Sequence, residues 1–443
     1  MATDPARLVA FDVLRAVADQ DAYANIELSR LLRERRVTGR DAALATELVG
    51  GTLRMRGAYD VVIDQLVSRT LDDPVRDALR LGTHQLLSTR VPTHAAVGTT
   101  VDLVKTRIGH RPAGLVNAVL RKVSVRTLEE WLAGRPVSDR FSHPAWVVDA
   151  LGRALARPDE LEALLAADND RPAVTLVARP GLATRDELGG TPLAVSPYAV
   201  ALAGGDPGAL PAVREGRAGV QDAGSQLVAL VLARADVRGA DARWLDVCAG
   251  PGGKAALLAA LAAQAGARVL ANERQPHRAR LVAQATRAAG AGLLGVVAGD
   301  GTRPAWAPGS FDRALVDAPC TGLGALRRRP ESRWRRRPSD VAELAPLQEA
   351  LLDAALDAVR PGGVVVYATC SPVVEETAGV VAAVLARRSE VALEPALDLL
   401  PEVSDAESAH LPGAVQLWPH RHGTDAMFVA LLRRSPDAGP SDH

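Results

Sequence analysis

Two of the three cysteines in this 443-residue chain follow short apolar runs that end in turn-forming residues: Cys320 in Asp317-Ala-Pro-Cys320 and Cys370 in Ala-Thr-Cys370-Ser-Pro. A thiolate in such a place can attack an electron-poor carbon and later leave, which is covalent catalysis. Two thiols suit a reaction in which one adds and another group assists release. Carbon 5 of cytosine is such a case: it is a poor nucleophile until a thiolate adds at carbon 6, and a base must then remove the C5 proton before elimination. Ser371 and Pro372 read as an N-cap and first helical residue. A helix N-terminus there would favour the anion of Cys370, since a thiol of ordinary pKa, about 8.5, is mostly protonated at neutral pH. The plainer alternative for either cysteine alone is a strand-end side chain packing as a small hydrophobe. An odd count spread over a long chain argues against a disulfide framework or a CxxC zinc site, and no metal is expected.

A second constellation is Asp246-Val-Cys248-Ala249-Gly250-Pro251-Gly252-Gly253-Lys254. Glycines between a strand and a helix let a ligand approach the backbone and expose amide donors at a helix N-terminus. Gly250 to Ala255 fits G-x-G-x-x-A, and Glu273 lies near the spacing of a ribose-binding acid, so a nicotinamide dinucleotide competes with other adenosine ligands here. A Walker A loop fails at both ends, with Cys248 in place of glycine and Ala255 in place of serine or threonine. Glu273 could hold both ribose hydroxyls and Asp300 could accept from an adenine amino group, although Gly299-Asp300-Gly301 also has the composition of a plain turn. Cys248, inside the first turn, is assigned to packing and backbone contact with the cofactor. Asp317 would meet the N3 and N4 edge of cytosine, and donating to N3 would require burial to keep it protonated. Hydride transfer to or from nicotinamide needs neither thiol, so Cys320 and Cys370 favour the cytosine reading. Between Cys320 and the next helix, seven arginines from Arg327 to Arg337 surround Trp334, a pattern suited to phosphate contact and base stacking, with a solvated loop as the alternative.

In an open α/β sheet, ligands bind beyond the carboxyl ends of the strands. The runs RWLDVCAG, ARVLANE, LLGVVAGD, FDRALVDAPC and GGVVVYATC alternate with Ala- and Leu-rich stretches and predict a mostly parallel sheet flanked by helices, a Rossmann-like α/β domain over residues 240–434. Over residues 1–134 apolar side chains recur at three-to-four spacing, which predicts an all-helical domain, with Asp73-Pro74 as N-cap and first helical residue of one helix. Gly134 to Pro144 has the composition of a connector, and residues 145–239 mix a helical start with runs such as AVTLVA, as in a small α+β domain. The polar tail from Ser435 is expected to fray.

The length fits two or three domains. Hydrophobic residues make up 48% and charged residues 23%, with no apolar run of bilayer-crossing length, and the first residues lack an export signature, so a cytoplasmic protein away from membranes is expected. A formal net charge of zero gives no global attraction to nucleic acid, which leaves that task to local clusters. Lysine occurs only at Lys105, Lys122 and Lys254, and Lys254 therefore stands out.

Taken together, DVCAGPGGK, FDRALVDAPCTG, YATCS and VQDAGSQLVALVL resemble the RNA cytosine-5 methyltransferases, above all the bacterial Sun-type branch that modifies 16S ribosomal RNA. The segments RDAALATELVGGTLR and LRLGTHQLL resemble the NusB-like RNA-binding helical module of that branch. The resemblance covers nearly the whole chain. It implies that Cys248, Ala249, Gly250, Pro251, Gly252, Gly253 and Lys254 line an S-adenosylmethionine site contacted also by Glu273, Asp300 and Asp317. It implies further that Cys370 is the nucleophile, that Cys320 helps release the methylated base, and that the partner is RNA. Several positions depart from the family pattern: Gly250 replaces a common alanine, Thr377 an asparagine, Asp425-Ala426-Met427-Phe428 the usual DGFF, and TLVARP lacks an R-x-N. None removes a catalytic group. Two rivals stand beside this reading. A nicotinamide oxidoreductase leaves both cysteine motifs unexplained, and a non-catalytic RNA-binding assembly factor has no need of Cys320, Cys370 and Asp317 together.

Overall fold

The computed structural model describes residues 4–20 and 22–436, so the tail beyond Pro436, where fraying was expected, lies outside the described residues. The chain forms two compact units. The first comprises Met1–Asp149 with Leu165–Asp170 and Leu326–Arg335, and the second comprises Ala150–Leu164, Arg171–Ala325 and Arg336–His443.

The first unit is helical, as its three-to-four apolar spacing predicts. Helices Pro5–Gln20, Ala24–Glu34, Gly39–Arg54, Arg56–Asp64, Asp73–Ser88, Thr93–Arg107 and Ala113–Val123 bury Val9, Val13, Leu48, Leu79 and Leu120 in one core. The N-cap before Pro74 is Asp72 instead of Asp73, which sits in the first turn, where an acid also complements the helix dipole. The arginine-rich stretch departs further from expectation. Arg333 is fully buried, donating from Nη1 to Asn169 Oδ1 (2.7 Å) and Ser142 O (3.1 Å) and from Nη2 to Asp168 O (3.1 Å). Trp334 donates to Leu53 O at 3.2 Å and lies under the Arg56 guanidinium. These two side chains fasten a returning segment to the helical core, and Arg333 is not presented for phosphate contact. A guanidinium fork satisfies several buried carbonyls at once, which is why arginine can serve in a core that lysine could not staple.

The second unit carries two sheets. The smaller is antiparallel, with strands Thr191–Pro192, Ala199–Leu202, Val174–Ala178 and Ala218–Val220 in that spatial order. The larger contains β1 (Arg243–Asp246), β2 (Arg268–Glu273), β3 (Leu293–Ala298), β4 (Phe311–Asp317), β5 (Val359–Thr369), β6 (Val391–Glu394), β7 (Val415–Gln416) and β8 (Phe428–Arg434). Its order is β6-β8-β5-β4-β1-β2-β3, parallel from β5 to β3, with β8 antiparallel to β5 and β6, and β7 paired to β8. Four main helices connect the strands: α1 (Gly253–Gln264), α2 (Pro276–Thr286), α3 (Pro338–Ala358) and α4 (Ala378–Arg387). The β4 run Phe311–Val316 is buried throughout, as a central strand covered on both faces must be. The buried Asp312 ties the strand starts together, accepting from Ala242 N (2.8 Å), Arg243 N (2.9 Å) and Arg360 Nε (2.7 Å). Among the described residues, no helix is long and apolar enough to cross a membrane.

Candidate active site

Parallel register sets the ends of β1, β2, β4 and β5 side by side. Asp246 pairs with Ala271 and Leu315, and Asp317 with Ala368, so the residues just past each strand emerge at one edge. The strand order reverses between β1 and β4, and ligands of open α/β sheets bind at such a switch point.

On the β1 side, the turn leads into α1 at Gly253, and Gly252 takes φ +114, with a Cβ there falling 2.6 Å from that of Ala285. Only glycine allows that conformation and that approach. Ala249 N donates to Asn272 O at 2.8 Å, extending the ladder to β2. Gly250 lies under Glu273, whose Oε2 would stand 1.9 Å from a Cβ at 250. The departure from alanine thus lets the carboxylate fold over the turn. The buried Glu273 accepts from Gln275 N at 2.8 Å, while Arg278 lies 3.7 Å from its other oxygen and donates to Gly250 O at 2.6 Å. Asp300 accepts from Thr302 Oγ1 (2.8 Å) and N (3.0 Å), and these bonds, the hydroxyl first, hold its carboxyl below the usual range. It is a turn residue that keeps one carboxylate oxygen clear of those bonds.

Asp246, which sequence reading passed over, is fully buried; Oδ1 accepts from Cys248 N at 3.3 Å, whereas Oδ2 has no hydrogen-bond partner. Burial first, and then the charge of Asp317, push its pKa up to about 8 against the pull of Lys254. A cationic ligand relieves this crowding of acids, and a pyrophosphate would aggravate it. The turn therefore fits a sulfonium-bearing adenosine better than a nicotinamide dinucleotide. Burial, then Asp246, Asp317 and Glu273, raise the Cys248 thiol well above its ordinary value, as suits a packing role.

On the β4 and β5 side, Cys320 Sγ and Cys370 Sγ lie 3.4 Å apart, at sulfur hydrogen-bond distance. Lys254 Nζ donates to Asp317 Oδ2 at 2.9 Å. Burial opposes the charge on Lys254, but Asp317, then Cys370 and Asp246, outweigh it and raise its pKa. The hydrogen bond to Cys370, followed by burial and the charges of Cys370, Glu376 and Asp317, keeps Cys320 protonated far above the ordinary thiol range. The two sulfurs thus share one short contact, and the charge of Cys370 is among those that raise the pKa of Lys254.

One expectation needs revision. No helix begins at Ser371, since the chain runs through the short 3-10 turn Val374–Glu376 and α4 starts only at Ala378. Ser371-Pro372 imitates a helix start because Ser371 Oγ accepts from Val373 N at 3.3 Å, a local turn instead of a cap. With no helix dipole at Cys370, the cation interacting with it is Lys254, whose pKa Cys370 helps to raise. Asp317 accepts from the Lys254 ammonium at Oδ2, which sets an acceptor beside a donor at this strand end. Glu376 is also new: fully buried, it bonds to the residues next after both cysteines. Its neighbour Glu375 is exposed, and in sequence the two look alike. Among the described residues there is no cluster able to hold a metal ion.

This strand order, with a glycine turn after β1 and acids at the strand ends, defines a Rossmann-like methyltransferase. The family described as 16S rRNA methyltransferase RsmB/F matches residues 234–433, and the NusB family matches residues 4–125. Ribosomal RNA small subunit methyltransferase B of Salmonella typhi is 37% identical over 95% of this chain and 99% of its own. A protein of Mycobacterium tuberculosis described only as a methyltransferase, Rv1407, is 54% identical over 97% of each chain. The crystal structure of PH0851 shares the fold at a TM-score of 0.79, with 22% identity over 98% of this chain and 99% of that one. The chain belongs to the RsmB/F family of 16S rRNA methyltransferases, with a NusB-family domain at its amino-terminal end. S-adenosylmethionine is the cofactor that goes with this membership.

Proposed function

We propose that the chain transfers a methyl group from S-adenosylmethionine to carbon 5 of a cytosine in RNA, 16S ribosomal RNA first of all, through a covalent cysteine adduct. The observation that carries this reading is the thiol pair, 3.4 Å apart at the ends of adjacent strands and set off by the Lys254–Asp317 ion pair. The cofactor supplies an electrophilic methyl group, held by Cys248 to Lys254, Glu273, Asp300 and Asp317. Cys370 Sγ, its anion favoured by Lys254, adds to C6 of the base. Asp317 accepts from the N4 amino group, and Lys254 stands ready to donate to N3. Alkylation of Cys370 removes the hydrogen bond that most strongly keeps Cys320 protonated. Cys320 then gives up its own proton to water and, as a thiolate, takes the C5 proton, after which the Cys370–C6 bond breaks and the Cys370 thiolate leaves. We assign residues 1–134 to RNA binding and residues 145–239 to guiding the strand toward residues 240–434, all in the cytoplasm.

Nucleoside mass spectrometry on unmodified 16S ribosomal RNA, incubated with S-adenosylmethionine and either wild type or Cys370→Ala, tests the proposal. Gain of 5-methylcytosine with wild type alone is expected. If neither produces it on naked RNA, transfer RNA or a partly assembled subunit, the assembly-factor reading takes its place.

A further inference from the structure

We propose that Glu376 is a positioning residue that sets the spacing of the two thiols by clamping the Cys320 loop to the Cys370 loop. This rests on the two-thiol reading above.

Glu376 closes the 3-10 turn after β5 and is fully buried, so it touches neither RNA nor cofactor. Its Oε1 accepts from Thr321 N (2.7 Å) and Gln348 Nε2 (3.1 Å), and its Oε2 accepts from Thr321 Oγ1 (2.5 Å) and Ser371 Oγ (2.5 Å). Thr321 comes directly after Cys320, Ser371 directly after Cys370, and their hydroxyl oxygens are 3.0 Å apart. Gln348, on α3, donates also to Pro319 O at 2.8 Å, on the other side of Cys320. Tyr367 fixes the backbone of the clamp, its hydroxyl donating to Glu376 O at 2.7 Å.

Four donors converge on two oxygens, which a carboxylate satisfies and an amide, with a single acceptor atom, does not. Ion burial is costly, and charge-assisted bonds at this density are what offset it. A core built only for stability has no need of a charge here, because an apolar side chain facing hydroxyl-free loops would fill the space. What the carboxylate adds is a fixed length between the two cysteine-bearing loops. The same charge contributes to holding the proton on Cys320.

The test uses the full chain without RNA or methyl donor. Diamide accepts two hydrogens from a close thiol pair and leaves a disulfide, so the rate of Cys320–Cys370 closure, read by peptide mass mapping, reports their spacing. Glu376→Gln should slow closure about fivefold and Glu376→Ala further, while alkylation of Cys370 by iodoacetamide stays within about twofold of wild type. Closure at the wild-type rate in a folded variant would overturn the proposal, and so would faster alkylation of both thiols, which signals loosened packing. Should Glu376→Ala not fold, Glu376→Gln decides alone. A wild type that closes the pair quickly but makes no 5-methylcytosine would refute the proposed reaction and leave the clamp standing.

Discussion

Lys254 and Asp317 meet at 2.9 Å across the crevice between the helix after β1 and the end of β4, and the lysine also shares its charge with Cys370. The glycine turn after β1 and the proposed nucleophile are therefore electrically linked through one side chain. Lys254→Met should move the midpoint of Cys370 alkylation upward by about one pH unit. It should also lower methyl transfer about 100-fold, as loss of a buried charge stabiliser does. An unmoved alkylation midpoint would show that the thiolate depends on something else.

The two proposed thiol roles predict opposite outcomes on a denaturing gel. Cys320→Ala should let a protein–RNA adduct build up, since attack proceeds and release does not, and Cys370→Ala should give none. The reverse pattern would exchange the two roles.

Asp246 gives a pH signature in stability. In the folded chain it keeps its proton up to about pH 8, whereas unfolding returns it to its ordinary value of 3.8. Between those values the folded state binds the extra proton, so this group's contribution to wild-type stability falls as pH rises. Asp246→Asn resembles the protonated acid and does not titrate. Its stability relative to wild type should grow from pH 5 to pH 8, by at most about 4 kcal/mol. Thermal melts giving the same difference at both pH values would count against a buried, protonated Asp246.

Arg333→Ala should destabilise the helical unit by about 3 kcal/mol, because it leaves buried acceptors on Asn169, Ser142 and Asp168 without their donor. Arg333→Lys should recover little, since an ammonium cannot span the same carbonyls. A Tm within a degree of wild type for Arg333→Ala would reject the staple.

The five strand tips were legible in the sequence because a central parallel strand is a nearly continuous apolar run and its last residue is polar wherever a ligand binds. The cysteines and Lys254 were legible for a related reason, being rare residue types at those tips. What escaped is what depends on contacts distant in the chain. Arg333 looks in sequence like the exposed Arg329 and Arg337 until Asn169 and Ser142 arrive to meet it, and Glu376 looks like Glu375. Asp246 passed as one more letter of a motif, because burial with an unpartnered oxygen is a property of the folded surroundings. Ser371-Pro372 misled because a serine turn and a helix cap share the same residues and differ only in the backbone path beyond Pro372.

The amino-terminal unit is not completed by amino-terminal residues. Its boundary runs to Asp149, yet Arg333 and Trp334, which seat in its core, come roughly 190 residues later. On a ribosome adding about 5–20 residues per second, the helices wait on the order of 10–40 s for their last staple, by which time β1 to β4 of the larger sheet have been made and β5 to β8 have not. The helical unit is thus begun first and finished late. A nascent chain stalled before residue 333 should show protease-sensitive helices that become resistant once synthesis passes that point.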